Sequence, residues 1–461
     1  MGEEAYWQRL NRKRFTRRAL LGVSAKAGLG AAGLALVGCG DDDDDDAGVA
    51  RTPAPSREEP AEGQSAQQAA ESVEAPAEAP SGGDDGAAAP AADPTFRGEG
   101  LVVGAGRFDW QISRVDQGTK PGVALDVDQA PLIAYMLERR GAAGFVRVAR
   151  GGANGFSIDT LQTGYLYGPL DIRVAPSGIV AVAYHNHDWE DGAVAVRDGG
   201  GGWQVNRIRD GGHDGWDSAL AFGPAGTIHF LGVDPEQFGA SDGVEFATLA
   251  NGEFQVEPVG SGPQPYEWGV GVAVDAGGVK HVTFFDAGTQ DLVYGRNDGG
   301  GWQLQTIYEN GDAGRFNVLA VADDGTPHVA FFQTDDGVDE NGRSPGNIVY
   351  GTLNGAAWSF EIIGTVDDHV LGFEGARRTV AIDLAAGEPV VAFIDESALQ
   401  LATRSGGLWE LETVLEAGAD PLQVVGLVLN AAADPHLTFS TITSNGPLDG
   451  EVWYVAPLLK A

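Results

Sequence analysis

An aromatic residue recurs at nearly regular intervals beyond residue 100, and this repeat restricts the folds that the chain can adopt. The spacing is roughly 46 to 56 residues, and the series is Trp110, Phe156, Trp203, Phe254, Trp302, Trp358 and Trp409. Each aromatic opens a segment in which polar and apolar residues alternate, as in 203–208 and 302–307. Such alternation is typical of a β-strand with one buried face. The sequence therefore predicts seven similar β units.

Each unit contains three further short segments with the composition of strands. A segment of small residues such as 218–222 is followed by a glycine turn, a segment such as 328–332 and a last segment such as 291–295. Four antiparallel strands per unit form the blade of a β-propeller, in which radial repetition protects the sheet edges. The small residues favour the innermost position, where blades crowd around the axis. The predicted inner strands begin near Gly122, Leu170, Ser218, Val270, Val318, Thr379 and Val424. The predicted fold class is all-β, a seven-bladed β-propeller of four-stranded antiparallel blades.

The two ends of the predicted propeller complete one blade. The strand from Trp110 to Val115 has no inner partners before it, and the last unit ends after its third strand at 452–455. One N-terminal outer strand and three C-terminal strands would thus close the ring, in a domain that we place at residues 98–461. The short apolar segment 101–103 is left without a predicted position.

The turns that precede the aromatics carry a degenerate motif. Segments 198–203 and 297–302 contain Asp, Gly and Trp, and they resemble the Asp-box of sialidase-like propellers in composition and position. The Ser and Thr of that box are missing. The resemblance covers roughly residues 101–461 and implies the fold more than an activity. The arginine motif of sialidases, an aromatic followed by Arg-Ile-Pro, is absent, and acidic loops would repel sialic acid.

The first 38 residues have the order of a bacterial signal peptide. A basic segment, 9–18, precedes a weakly apolar segment rich in Gly and Ala, 19–37. Arg17 and Arg18 lie in a segment that resembles the twin-arginine export motif, although they could also serve the general secretory route. Residues 36–39 resemble a lipobox, which implies cleavage before Cys39 and lipidation of its thiol. The alternative is an incidental cysteine at the end of the signal peptide.

Residues 39–97 are predicted to be the lipidated N-terminus and a disordered acidic linker rich in Ala and Pro. The segment has too little apolar surface to fold, and the aspartate run 41–46 is interpreted as a solvated spacer. We expect a monomer that contacts a membrane through its lipid anchor. Gly40, where inner-membrane retention would place an Asp, favours an outer-membrane or cell-surface location. A net charge of −37 argues against nucleic acid as a partner.

Candidate ligand-binding residues lie in loops that the topology places on one face. Turns between second and third strands and connections from outer to inner strands emerge there, and we call it the loop face. Imidazoles and carboxylates can bind metal or transfer protons, whereas aromatic rings can stack on sugars. The candidates are His185, His187, Asp188, His213, Trp216, Asp217, Tyr266, Trp268 and Phe316, besides Tyr165 and Tyr167 at inner-strand entrances. The aromatics could instead plug the axis, and the polar loop could be merely solvated.

The sequence leaves two functions open. The first is a cell-envelope lipoprotein that presents the propeller as a binding or scaffold module for a glycan or a protein, with no catalytic residue assigned. The alternative is a hydrolase or lyase of a polysaccharide or another envelope or extracellular substrate, expected to be neutral or cationic, using His and Asp on the loop face. No cofactor is predicted; a divalent metal could bind there, although the spacing matches no metal motif. His229, His281, His328 and His436 recur at one strand position and are interpreted as structural.

Overall fold

In a computed structural model the chain is all-β, a ring of seven four-stranded antiparallel blades. The structure describes residues 101–458 apart from 105, 138–142, 153–154, 200, 210–214, 216, 235–242, 261–268, 287, 336–342, 371–378, 396–397, 418–421 and 443–449. The predicted signal peptide, Cys39 and the acidic linker lie outside the described residues. Within the described part, no helix is long and apolar enough to span a membrane.

Each blade uses four strands that are consecutive in the chain, except for the last. Blades 1 to 3 consist of β3 (Thr119–Leu125), β4 (Pro131–Leu137), β5 (Gly144–Gly152) and β6 (Gly155–Gly164); β7 (Leu166–Val174), β8 (Val180–Asn186), β9 (Asp191–Arg197) and β10 (Gln204–Arg207); and β11 (Ser218–Phe222), β12 (Ile228–Asp234), β13 (Gly243–Ala250) and β14 (Glu253–Pro258). Blades 4 to 6 consist of β15 (Val270–Val274), β16 (Lys280–Asp286), β17 (Asp291–Asn297) and β18 (Gln303–Tyr308); β19 (Asp312–Val321), β20 (Pro327–Thr334), β21 (Arg343–Asn354) and β22 (Ala357–Val370); and β23 (Val380–Ala385), β24 (Glu388–Asp395), β25 (Ala398–Ser405) and β26 (Leu408–Glu416).

Blade 7 joins the two ends of the propeller, as predicted. Its strands are β27 (Leu422–Leu429), β28 (Pro435–Ile442), β29 (Gly450–Pro457) and the N-terminal β2 (Trp110–Gln117), with β2 outermost. Trp110 pairs with Pro457 and Gln117 with Glu451. The remaining short strand, β1 (Val102–Val103), pairs with Glu416 and Leu415 of β26 and becomes a fifth strand of blade 6. The N-terminal segment therefore contacts two neighbouring blades.

The apolar core lies between blades, where the sheets pack face to face. Alanines on β8 and leucine on β11 form one such contact, because Ala181, Ala183 and Leu220 share a buried cluster. The strands of small residues are the innermost strands of their blades, which confirms the prediction. Their small side chains let the blades pack closely around the axis. The turn before Trp302, one of the predicted degenerate Asp-boxes, is closed by Asn297 Oδ1, which accepts from Gly299 N at 2.8 Å and Gly301 N at 3.3 Å.

Four histidines occupy one equivalent position on the second strand of blades 3, 4, 5 and 7. Each Nδ1 is hydrogen-bonded to a hydroxyl of the third strand in its own blade, and the pairs are His229–Thr248 (3.1 Å), His281–Tyr294 (2.7 Å), His328–Tyr350 (2.6 Å) and His436–Tyr454. An aromatic ring of the same third strand contacts an aromatic of the next blade, and these contacts are Phe246–Trp302, Tyr294–Trp358, Tyr350–Trp409 and Tyr454–Phe156. The structural interpretation of these histidines is therefore confirmed.

Candidate functional site

The loop face of blade 2 carries a tight turn that presents several candidate side chains. Residues 187–190 connect β8 to β9, and β8 ends with His185 and Asn186, both fully buried. Trp189 N donates to the main-chain oxygen of Asn186 at 3.1 Å and to its Oδ1 at 3.2 Å. Since the strand is anchored by buried residues and the turn is closed by these bonds, His187 and Asp188 are held at the surface.

The structure brings Tyr165 and His187 together, a contact that the sequence did not predict. Tyr165 is the single residue between β6 and β7, and it is 39% exposed. Its ring centroid lies 4.6 Å from that of the half-buried His187, with an interplanar angle of 62°. His187 N donates to Tyr165 O at 2.9 Å. A phenol and an imidazole, each able to donate or accept a proton, are thus held edge to face at the surface. We call them the Tyr165–His187 pair.

Two charged groups hold the turn from either side. Asp188 Oδ2 accepts from Tyr165 N at 2.9 Å, which links the turn to the connection between β6 and β7. On the other side, the fully buried Asp191 forms an ion pair with Arg207, and Arg207 Nη2 also donates to Trp189 O at 3.0 Å. The arginine side chain is one-third exposed and its guanidinium lies 6.0 Å from the Trp189 ring. Arg207 is therefore a cation at the edge of the candidate site.

Behind the surface pair the polar groups are buried. The ring of His185 lies 5.8 Å from that of His187, and it has no exposed surface. Asn186 Nδ2 is buried without a hydrogen-bond partner among the described residues. Tyr184, one residue earlier, donates to Gln162 Oε1, and burial raises the pKa of its phenol. These residues support the turn from below, whereas contact with a ligand is open to Tyr165, His187 and Asp188.

The other predicted ligand residues are either buried or outside the described part. Asp217 directly precedes β11 and is 4% exposed, on the blade next to His185. Phe316 is 1% exposed and packs against Phe332 in the core, with its backbone in a left-handed conformation, φ 55°. As placed here, Phe316 offers no open face to a ligand. The structure does not describe the side chains of His213, Trp216, Tyr266 and Trp268, nor that of Tyr167.

Between the inner strands the axial channel is narrow. Inner strands of the blades line it, and its cavity of about 60 Å³ has room for only a few water molecules. Asp171 and Arg173 are the charged side chains among its lining residues, 3.3 Å apart, and Asp171 Oδ2 also accepts from Leu220 N at 2.8 Å.

A second tyrosine meets a carboxylate and an arginine, but it is buried. Tyr135 donates to Asp116 Oδ2 at 2.6 Å, and Arg147 Nη1 donates to the same oxygen at 3.0 Å. Tyr135 has no exposed surface, and burial, followed by the Asp116 carboxylate, raises the pKa of its phenol. A phenol that resists ionisation and cannot reach a ligand is unsuited to act as a nucleophile. These residues tie blade 1 to blade 7.

No metal centre is formed by the part of the chain that the structure describes. Within it, no group of three or more His, Cys, Asp and Glu side chains is placed to hold an ion. The predicted candidate His213 is outside that part.

Comparisons with known proteins identify the architecture. An ulvan lyase, a polysaccharide lyase, superposes with a TM-score of 0.50 at 11% identity, over 75% of this chain and 95% of that one. The NanB sialidase of Streptococcus pneumoniae gives 0.40 at 10% identity, over 75% and 69% of the chains. An α-L-arabinofuranosidase of Fusarium graminearum gives 0.44 at 10%, over 78% and 98%. No protein-family model matches the sequence, and no curated protein is significantly similar to it.

The strand order defines the class of this protein. The protein is a seven-bladed β-propeller, and its structural neighbours include a sialidase and polysaccharide lyases. At such identities the likeness concerns the fold alone, so function has to be argued from the site.

Proposed function

We propose that this propeller is a glycan-cleaving enzyme, a polysaccharide lyase whose acid–base groups are Tyr165 and His187. This is the alternative of the two functions that the sequence left open, but with an acidic substrate in place of a neutral or cationic one. The observation that carries the proposal is the ring contact at 4.6 Å between an exposed phenol and an imidazole on the loop face. The fold shared with an ulvan lyase is compatible with it.

The lyase reaction requires what this pair can supply. One group accepts the proton at C5 of a uronic acid, next to the carboxylate; the electron pair forms the C4=C5 double bond while the C4–O bond breaks. The leaving oxygen takes a proton from the second group. Both side chains can accept or donate a proton, and the exposed Tyr165 ring can also stack on a sugar. Arg207, whose charge is paired with the buried Asp191, is one-third exposed and leaves a hydrogen-bond donor group at the edge of the site.

Hydrolysis would depend on a different set of groups. Glycoside hydrolases use two carboxyl groups that flank the scissile bond. In the blade 2 site, Asp191 is fully buried against Arg207 and one oxygen of Asp188 accepts from Tyr165 N. Asp188 is exposed, but its Oδ2 is bonded to Tyr165 N, whereas the imidazole and the phenol lie in contact with each other at the surface, and this arrangement favours elimination.

The deciding experiment is a screen of purified protein against uronic-acid polysaccharides with two readouts. A lyase generates one new reducing end and one conjugated C4=C5 double bond per cleavage, so reducing-sugar release and ultraviolet absorbance should rise together. Reducing ends without absorbance would indicate a hydrolase. Binding to a polysaccharide without cleavage would instead support the other function, that of a binding or scaffold module.

We expect the KM for an acidic polysaccharide to fall as salt is added. The net charge of −37 repels a polyanion, and the Debye length shrinks from about 30 Å at 0.01 M to about 8 Å at 0.15 M ionic strength. The expected decrease is roughly threefold or more. Initial rates across a NaCl series measure it, with sucrose at matched osmolality as control. A KM that rises with salt would show that attraction by local cations such as Arg207 exceeds the overall repulsion.

We further propose that the mature protein is held in the cell envelope by lipid on Cys39, with the outer membrane or cell surface as the favoured location. In wild-type cells, intact-mass analysis should find a diacylated N-terminus at Cys39 in the membrane fraction. The Cys39→Ala variant should keep its signal peptide, because the thiol that accepts the lipid is gone. Replacing Arg17 and Arg18 by Lys should block export if the twin-arginine route is used. An unlipidated mature end at another residue would contradict the anchor.

A further inference from the structure

Asp188 occupies an unusual place, because its carboxylate reaches from one chain segment of the candidate site to the other. It lies exposed on the turn between β8 and β9, directly after His187. Its Oδ2 accepts the main-chain N–H of Tyr165 at 2.9 Å, while Tyr165 O accepts from His187 N at 2.9 Å. Both main-chain polar groups of Tyr165 are thereby bonded to the turn that carries the imidazole.

The residue before Tyr165 is the one that permits this approach. Gly164 has φ +155°, and a Cβ there would lie 2.5 Å from Asp188 Oδ2, closer than side chains tolerate. Any other residue would have to push the carboxylate away from the Tyr165 amide. The bond between Asp188 and Tyr165 is thus accommodated by the local sequence on both segments.

We propose that Asp188 is a positioning residue for the Tyr165–His187 pair; this rests on the proposed function. The connection between β6 and β7 is a single exposed residue, and the two main-chain bonds to the turn hold its backbone beside His187. Without the carboxylate, one of them is lost and the phenol moves relative to the imidazole. Displacements of about 1 Å in an acid–base site reduce turnover by about 100-fold. Because Asp188 is exposed, its loss leaves no cavity in the core.

The test uses Asp188→Ala, Asp188→Asn and Gly164→Ala in the full-length chain. Asn retains an oxygen that can accept from Tyr165 N, whereas Ala does not. Hydrogen–deuterium exchange resolved at residue 165 should accelerate at least about tenfold in Asp188→Ala and Gly164→Ala, and stay near wild type in Asp188→Asn. Asp198→Ala is the control, because it removes an exposed carboxylate from the opposite face of the same blade.

The kinetic readout separates positioning from direct chemistry. We expect kcat to fall by about 10- to 100-fold in Asp188→Ala with KM within about threefold, and Asp188→Asn to recover most of kcat. Unchanged exchange at Tyr165 in Asp188→Ala would overturn the inference. So would an Asp188→Asn variant that keeps the slow exchange but is as inactive as Asp188→Ala, since Asp188 would then act as an acid or base itself.

Failure of the proposed function would be recognised separately. If wild-type protein cleaves none of the polysaccharides, the lyase proposal falls and the catalytic part of the inference falls with it. The exchange measurement needs no substrate, so it still decides whether Asp188 holds Tyr165.

Discussion

Replacing Tyr165 by Phe or His187 by Ala is expected to lower the turnover of a susceptible polysaccharide by roughly 100- to 10,000-fold, the contribution typical of a general acid or base. Phe preserves the aromatic ring that contacts His187 at 4.6 Å and removes only the hydroxyl. Ala removes the imidazole from a half-buried surface position. Because the two groups serve one reaction, the double variant should lose little more than the worse single variant.

The control for the phenol is Tyr308→Phe. Tyr308 packs its ring against Phe331 and Phe360 in the core, far along the chain from blade 2, so loss of its hydroxyl should leave turnover unchanged. Initial rates by absorbance of the unsaturated product measure all variants, and circular dichroism verifies that each is folded. A Tyr165→Phe enzyme that keeps a third or more of wild-type kcat would refute a proton-transfer role for the phenol.

A large loss of folding stability is expected between pH 6.5 and pH 4, caused by the four histidines at the equivalent second-strand position. Burial lowers the pKa of His229 to about 4 and lowers the pKa of His281, His328 and His436. In the unfolded chain these imidazoles take up protons near pH 6.5. The unfolded state therefore binds more protons in this window, and stability falls as the pH falls. The fall in the pKa of His229 from 6.5 in the unfolded chain to about 4 in the folded protein alone lowers the free energy of unfolding by about 3 kcal/mol at pH 4.

One buried carboxyl works in the opposite direction. Burial raises the pKa of Asp383, whose oxygens accept from Leu384 N and Leu429 N at 2.8 Å. A raised folded-state pKa means that stability is gained as the pH falls toward the range where this group is protonated. The contribution offsets part of the histidine effect at the acidic end of the window.

Urea unfolding from pH 7.5 to pH 4.5 measures this pH dependence. His229→Gln is the informative variant, because Gln can still hydrogen-bond Thr248 but does not titrate. It should be less stable than wild type at pH 7.5 and should lose less stability on acidification. Equal pH dependence in the two proteins, or constant wild-type stability across the range, would rule out this origin of acid sensitivity.

The fold was predictable because its determinants are local and repeated. The aromatic series, the alternating strands and the glycine turns each act over a few residues, and their sevenfold recurrence implies the ring. The closing pairing of β2 with β29 followed from counting incomplete units. The pairing of β1 with β26 did not follow, because two apolar residues have no feature that selects an edge some 300 residues away.

The candidate site was predictable only in part. Sequence reasoning named His185, His187 and Asp188 from their density of polar groups, and Tyr165 from its position before an inner strand. It did not place Tyr165 against His187, since the two lie in different segments whose approach depends on Gly164 and on the Asp188 bond. Phe316 was predicted either to contact a ligand or to pack at the axis, and irregular pairing at the start of β19 and a positive φ place it in the core. Such bulges interrupt the alternation of side chains along a strand, and that alternation is what predicts which side chains point into the core.

By itself, the sequence determined the all-β class, the number of blades, the closure of the ring and the face on which the variable loops meet. These depend on periodicity and chain order, which are properties of the sequence. Only the tertiary structure decided the contact between Tyr165 and His187, the burial of Phe316 and the pairing of β1 with β26. Contacts of this kind depend on bulges and single hydrogen bonds between segments, and those energies arise only once the blades have packed.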